Sequence, residues 1–252
     1  RIVCWNENAF GAGSEKAYKN IPFIISTRGY GLFLDESRRS IWDLGCSSNF
    51  ATSIEVDGPG FDIFIIVGRN LKHLLKQYRE ITGSASLPPR WSFGLWISPF
   101  GTHRTRAPMN QKALVELARE IRKRGIPCEL IHLDPFWMGY KDLCSFKWDK
   151  KSFPQPEEMI KELKNQGFRL CLWEHPYIQK DTELYEEGAE KGYFLRRRDG
   201  SVYDANLVYI SPEKRCEYTE SVYGPGGIVD FSNPEAAEWY KSKHRPLLEM
   251  GV

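Results

Sequence analysis

Apolar and polar positions divide the chain into two stretches with different periods. Residues 2–5, 21–27, 30–34, 40–44, 53–56 and 61–67 are short runs of β-branched and aromatic residues separated by Gly, Asn, Asp and Ser, and they read as strands. Strands this short, at this spacing, predict a β-sandwich or part of one. Leu71, Leu74, Leu75, Tyr78 and Ile81 then recur at helical spacing, and Gly83 closes the segment. Residues 83–89, with two adjacent prolines, have linker composition. The boundary falls there, giving a first domain with its linker helix over 1–88 and a second over 89–252.

Beyond the linker the period changes. Residues 91–98 form a continuous apolar run, as expected for a strand buried on both faces. A helical stripe follows at Leu114, Leu117, Ala118 and Ile121 and ends at Gly125. Residues 128–134 are the next strand. Pro156, Glu157 and Glu158 suit the first turn of a second helix, which stops at Gly167, and 168–173 are the third strand. Asp181 can cap a third helix reaching toward Gly192, and 193–203 predict a hairpin turning at Asp199-Gly200. Asn233-Pro234-Glu235 starts a last helix, running toward Met250 with a kink expected at Pro246. Strand–helix repetition without antiparallel interruption predicts parallel βα units, in a partial barrel or an open α/β sheet.

Composition narrows the function classes. The 35 Lys and Arg nearly balance the 33 Asp and Glu, so no overall field favours nucleic acid or an anionic membrane. Apolar runs such as 61–67 are far shorter than the roughly 20 residues a membrane helix needs. The six cysteines come no closer than sixteen positions, without CxxC or zinc-type spacing. They read as free thiols in a reducing, cytoplasmic compartment. Because the chain opens on Arg1 rather than Met, secretion stays open.

Parallel βα folds place ligands at the carboxyl ends of their strands. Those ends read Ile97-Ser98-Pro99-Phe100, His132-Leu133-Asp134-Pro135-Phe136-Trp137-Met138 and Leu172-Trp173-Glu174-His175-Pro176-Tyr177. Rings beside carboxylates suit sugars, whose C–H faces stack on aromatics while their hydroxyls donate to oxygens. Asp134 ends an apolar strand and would be costly to bury unpaired, so it faces a cleft or a partner. The competing reading makes it a salt bridge or a loop cap. Glu174 invites pairing with Asp134 as the two carboxylates of glycoside hydrolysis; alternatively a Lys or Arg holds it. Asp134 with His175 could be drawn as a metal site, but no third ligand is suitably spaced. His132 reads as a core histidine. The Gly224-Pro225-Gly226-Gly227 run lacks a following Lys-Ser/Thr and reads as a loop, and Arg196–Arg197–Arg198 reads as a solvated hairpin.

Several motifs, in order, resemble glycoside hydrolase family 31. They are Pro88-Pro89-Arg90-Trp91-Ser92-Phe93-Gly94-Leu95-Trp96, the His132 to Met138 run, Phe146-Lys147-Trp148-Asp149 with Phe153-Pro154, Cys171 to Ile178, and Lys191-Gly192-Tyr193-Phe194 with Asp199-Gly200-Ser201. Upstream, Ala17-Tyr18-Lys19-Asn20-Ile21-Pro22-Phe23 and Arg28-Gly29-Tyr30-Gly31 are similar to the end of that family's N-terminal β-sandwich. The resemblance covers essentially the whole chain.

It implies the first three βα units of a (β/α)8 TIM barrel, preceded by the C-terminal part of an antiparallel β-sandwich. The activity implied is that of a retaining α-glycosidase, with an oligosaccharide or small α-glycoside as substrate and no metal or organic cofactor. By the same resemblance Asp134 binds sugar hydroxyls, Trp173 stacks on the sugar, and Phe100 is an aromatic of the first βα loop. Phe136 stands where family α-glucosidases carry an Asp, as in the α-xylosidase-like branch; an apolar ring cannot pair with a 6-hydroxyl and fills the space of a hydroxymethyl. Asn8 stands about where relatives have an Asp reaching into the site, and Glu174 and His175 stand where some have uncharged residues. These three are placed behind or beside the substrate.

In the family the nucleophile ends the fourth strand and the acid/base lies further on. Met250-Gly251-Val252 matches the approach to that strand, so both catalytic carboxylates are expected beyond the chain and none of its residues is assigned a catalytic role. The 252 residues alone are expected to turn over no aryl α-xyloside and to pack loosely or aggregate. An α-glucosidase or α-galactosidase of the same family, and a non-catalytic carbohydrate-binding or scaffold protein, are the alternatives. Oligomerisation is open for the full-length enzyme.

Overall fold

The computed structural model describes residues 1–6, 17, 19–99, 109–139, 144–206 and 225–252. They divide into two compact units, Arg1–Leu87 and Pro88–Val252.

In the first unit each predicted run forms a strand: β1 Ile2–Cys4, β2 Phe23–Ser26, β3 Tyr30–Asp35, β4 Ser40–Leu44, β5 Thr52–Val56 and β6 Asp62–Val67. They pair antiparallel as two three-stranded sheets, ordered β1-β4-β5 and β2-β3-β6. The register puts Phe23 opposite Phe33, and Phe33 opposite Phe64. Helix α1, Leu71–Thr82, covers this aromatic row: Leu74 is fully buried, and Tyr78 stacks on Phe23 at 4.2 Å. Asn70 starts α1 by accepting the His73 N–H at 2.9 Å. In the other sheet the Trp42 indole is buried and donates to Ser40 Oγ at 3.1 Å. Asp43 accepts from the Ser47 hydroxyl and from the N–H groups of Ser47 and Cys46, fastening the turn after β4. The Ser47 hydroxyl foremost holds this carboxyl below its ordinary pKa.

The second unit is built on three parallel strands, β7 Trp96–Ile97, β8 Leu130–Leu133 and β9 Arg169–Leu172, ordered β7-β8-β9. Helices α2, Gln111–Lys123, and α3, Pro156–Asn165, make the crossovers. The stripe read from sequence is the buried face of α2: Leu114, Ala118 and Ile121 pack with Met159, Ile160 and Leu163 of α3 in one core. Arg122 ties the far ends of these elements together. Its guanidinium lies 3.6 Å from the centre of the Phe168 ring and donates to the carbonyls of Gln166 at 2.7 Å and Cys128 at 2.8 Å. β8 is buried along both faces, with Leu130, Ile131 and Leu133 at most 2% exposed, as a central parallel strand requires.

Four expectations need correction. The run 91–98 is not one strand buried on both faces. Residues Arg90–Phe93 form a 3-10 turn, because the Ser92 hydroxyl and N–H both donate to the Pro89 carbonyl, and only Trp96–Ile97 pairs. β7 is the sheet's edge, which leaves Leu95 and Trp96 nearly half exposed. The parallel pattern is also interrupted. β10 Tyr177–Gln179, β11 Asp204–Asn206 and β12 Pro225–Ile228 form an antiparallel sheet ordered β10-β12-β11, with α4, Glu183–Glu190, between β10 and β11. β12 covers most of the glycine run read as a loop. Gly227 is required there because the Phe194 ring lies against its backbone; a Cβ would come within 2.6 Å of it. Finally, the cap of α4 is Thr182, whose hydroxyl accepts from Tyr185 N at 3.2 Å, rather than Asp181.

Helix α5, Pro234–Met250, opens on Asn233 and continues through Pro246 to a left-handed Gly251. No helix among the described residues is long and apolar enough to cross a membrane.

Candidate functional site

The carboxyl ends of β7, β8 and β9 carry the polar and aromatic groups singled out from sequence. Parallel pairing sets Trp96 beside Leu130 and Ile97 beside Ile131, so the next residues, Ser98 and His132, are neighbours. Strand alternation puts Asp134 on the same side as His132. The Ser98 hydroxyl donates to Asp134 Oδ2 at 2.6 Å and lies 3.0 Å from His132 Nδ1. Among the described residues Asp134 is therefore held by a hydroxyl, not by a cation, and His132 belongs to this polar group rather than to the core.

After Asp134 the chain enters a 3-10 turn, Pro135–Met138, that buries Trp137 and Met138. The Trp137 indole donates to the Trp173 carbonyl at 2.9 Å, and its own carbonyl accepts from Asp149 N at 2.8 Å. Trp148 packs edge-on against it at 5.0 Å, backed by Phe153 at 5.3 Å. The aromatic motifs thus make one wedge joining the ends of β8 and β9.

Past the end of β9 the side chains alternate. The Trp173 ring meets His175 at 4.6 Å, and His175 meets Tyr177 at 4.7 Å. His175 Nδ1 accepts from Tyr177 N at 3.3 Å and lies 3.0 Å from the Cys144 thiol. An accepting Nδ1 leaves the proton of a neutral ring on Nε2, which is buried without a hydrogen-bond partner among the described residues. Burial, foremost, pushes the pKa of His175 below its ordinary value.

Glu174 is tied elsewhere. Tyr240 donates its hydroxyl to Glu174 Oε2, and His244 Nε2 lies 3.4 Å from Oε1. Burial first, then the hydrogen bond to Glu174, pushes the Tyr240 hydroxyl well above its ordinary pKa. Neither a lysine nor an arginine holds Glu174 among the described residues; a tyrosine and a histidine at i and i+4 of α5 do. Sequence reasoning missed this pair, although helical spacing puts the two on one face. It also missed Ser98, whose register beside His132 appears only once β7 is placed.

Phe100 and Asn8 lie outside the described residues, as does the side chain of Phe136. No group of His, Cys, Asp or Glu among the described residues could hold a metal ion, and Cys4, Cys46, Cys128, Cys144 and Cys171 are free thiols. A groove of about 340 Å³ runs beside β9, lined by Trp96, Trp137, Leu170, Leu172, Leu247 and Val252 among others.

Cys144 gives a direct check on this packing. It is fully buried, and burial pushes its thiol up to about 12. At pH 8 its thiolate fraction is then on the order of 10⁻⁴. Iodoacetamide at pH 8 is expected to alkylate the exposed Cys46 and spare Cys144 until denaturant is added, as read by peptide mass mapping. Equal labelling of both would show that the loop carrying Cys144 is not seated on His175.

Comparison with known proteins places these features in a family. Residues 85–252 match the glycosyl hydrolases family 31 TIM-barrel domain, and residues 1–43 the glycosyl hydrolase 31 N-terminal galactose mutarotase-like domain. The α-xylosidase XylQ of Lactiplantibacillus pentosus is 35% identical over 251 residues, covering 100% of this chain and 30% of that protein. An α-xylosidase of Emericella nidulans is 32% identical with the same two coverages. Among solved structures, a Flavobacterium johnsoniae GH31 dextranase complexed with glucose superposes with a TM-score of 0.85 at 27% identity, covering 100% of this chain and 29% of that one. The chain thus spans about 30% of the length of the curated relatives it matches. With a family domain matched over two thirds of its length and both α-xylosidases matched from end to end of the chain, this protein belongs to glycosyl hydrolase family 31.

Proposed function

We infer that the chain is the sugar-binding portion of a retaining α-glycosidase that removes terminal α-linked sugars, α-xylosides foremost. The observation that carries this is the match to two α-xylosidases along the whole chain, at 35% and 32% identity. The order β7-β8-β9, with α2 and α3 as crossovers, supports the first three units of a (β/α)8 barrel. The groove along β9 supports a further strand beside it.

In this reading Asp134 accepts from sugar hydroxyls, Trp173 offers a stacking face, and Phe100 and Phe136 supply apolar walls. Phe136 refuses a hydroxymethyl group, which selects xylose over glucose. Glu174, His175 and Asn8 stand behind or beside these groups. The nucleophile and the acid/base belong to the part of the enzyme not represented by these 252 residues. There, one carboxylate attacks the anomeric carbon while the other protonates the leaving oxygen, then activates water. No cofactor takes part, and the free thiols support a cytoplasmic location.

The test is expression from the whole gene and assay against aryl α-xyloside, α-glucoside and α-galactoside. The xyloside is expected to be preferred, with α-xylose as first product. Phe136→Asp is expected to move the ratio of kcat/KM toward the glucoside by about tenfold to a hundredfold. A wild-type preference for glucoside or galactoside would replace the sugar in this reading. Sugar binding without turnover would replace the enzyme by a binding protein.

A further inference from the structure

Ser98, His132 and Asp134 form a serine–histidine–carboxylate group at the ends of β7 and β8, and its protons can be placed from the distances. Ser98 Oγ is 2.6 Å from Asp134 Oδ2 and 3.0 Å from His132 Nδ1. A serine hydroxyl has one proton to give, and a carboxylate can only accept. The short contact is that of a charge-assisted O–H···O bond, so the proton of Ser98 lies toward Asp134. Ser98 Oγ must then be the acceptor toward His132, and His132 Nδ1 must carry a proton.

This order is not that of a nucleophilic triad. There the histidine stands between serine and carboxylate and takes the serine proton. Here the serine stands in the middle, and the neighbouring imidazole nitrogen donates instead of accepting. With Nδ1 donating, His132 is not the acceptor of the hydroxyl proton that the histidine of such a triad is.

What it does is fix a carboxylate. We propose that Ser98 and His132 are positioning residues, forming a relay from His132 Nδ1–H to Ser98 Oγ–H to Asp134 Oδ2 that locks the Asp134 rotamer and leaves Oδ1 to a sugar hydroxyl. The proposal rests on reading Asp134 as a sugar-binding residue. Its physical basis is preorganisation: a carboxylate held in one orientation before the sugar arrives loses less freedom on binding. His132 lies on β8, and Ser98 and Asp134 are the first residues past the ends of β7 and β8, so the register of the two strands brings the three together.

Two measurements on the protein expressed from its whole gene test it. Neutron diffraction from crystals at about pH 8.5 reads the proton positions directly. The expected result is a deuteron on His132 Nδ1 and the Ser98 deuteroxyl directed at Asp134. A bare Nδ1 with the deuteron on Nε2 would overturn the relay. In kinetics with an aryl α-xyloside, Ser98→Ala is expected to raise KM about tenfold with a smaller change in kcat, the mark of an interaction made in the ground and transition states alike. Ser98→Thr, which keeps the hydroxyl, should restore KM to within about twofold of wild type. An unchanged KM in Ser98→Ala beside a large loss in Asp134→Asn would refute the positioning role and leave the reading of Asp134 intact. An unchanged KM in Asp134→Asn would remove the sugar-binding reading itself, and the positioning role with it.

Discussion

Asp134→Ala is expected to lower kcat/KM for an aryl α-xyloside by about a thousandfold, roughly 4 kcal/mol, in the protein expressed from its whole gene. A carboxylate accepting from a sugar hydroxyl makes a hydrogen bond worth about 1.5–3 kcal/mol, and its two oxygens can serve two hydroxyls or one hydroxyl and a supporting donor. Truncation leaves those hydroxyls facing methyl in a site from which water is displaced, and the cost exceeds the net value of the bonds. The fold should be nearly indifferent. Asp134 is only partly buried, and its described partner is the hydroxyl of the exposed Ser98. Removing it therefore strands no buried charge, and a stability change within about 0.5–1 kcal/mol is expected. Steady-state kinetics with a thermal melt as control checks both halves. A loss below tenfold, or one that tracks a collapse of the melt, would return Asp134 to a structural role.

The contrast between Asp134 and Glu174 illustrates what the sequence could and could not tell. Both are acids at the ends of consecutive apolar strands, and as residue types they look like a hydrolytic pair. Alternation just past the end of β9 separates them: Trp173 packs with His175 on one side, while Glu174 turns to Tyr240 and His244 of α5, some seventy positions away. That tie depends on where α5 docks, which no local pattern encodes. The elements themselves were legible where local chemistry is strong. Asn233, read as the start of the last helix, caps α5; the apolar stripes over 71–81 and 114–121 became α1 and α2; and six β-rich runs between turn residues became six strands. Legibility failed where tertiary partners override composition. The run 91–98 reads as a strand because it is apolar, yet Ser92 closes a turn onto Pro89. Residues 225–227 read as part of a loop because no Lys-Ser/Thr follows them, yet they form β12, whose Gly227 lets the Phe194 ring approach the sheet. At the site, Ser98 carries no signal of its own until the β7–β8 register sets it beside His132.

Trp137→Ala is expected to be the most destabilising of the substitutions considered, by about 3–5 kcal/mol, the range for emptying a buried tryptophan site. The residue is 1% exposed, and its ring is wedged against Trp148, itself backed by Phe153. A short 3-10 turn between two strand ends cannot collapse into the space without drawing Asp134 with it, so the cavity term is felt in full. Truncation also strips the Trp173 carbonyl of the indole N–H that reaches it at 2.9 Å, leaving an acceptor at the end of β9 without its donor. The effect is therefore expected on the proposed site as well as on stability, because the same bond sets the position of Trp173, the residue proposed above to stack on the sugar. Trp137→Phe separates the two contributions: it keeps most of the volume, removes the N–H, and should cost about 1–2 kcal/mol. Native-state hydrogen exchange of the protein expressed from its whole gene, followed through β8 and β9, is the suitable measurement, since it reports local opening without assuming that the molecule unfolds in one step. The free energy of opening in those strands should fall in the order wild type, Phe, Ala. Unchanged protection in the alanine variant would mean that the strand ends are held by something other than the tryptophan wedge.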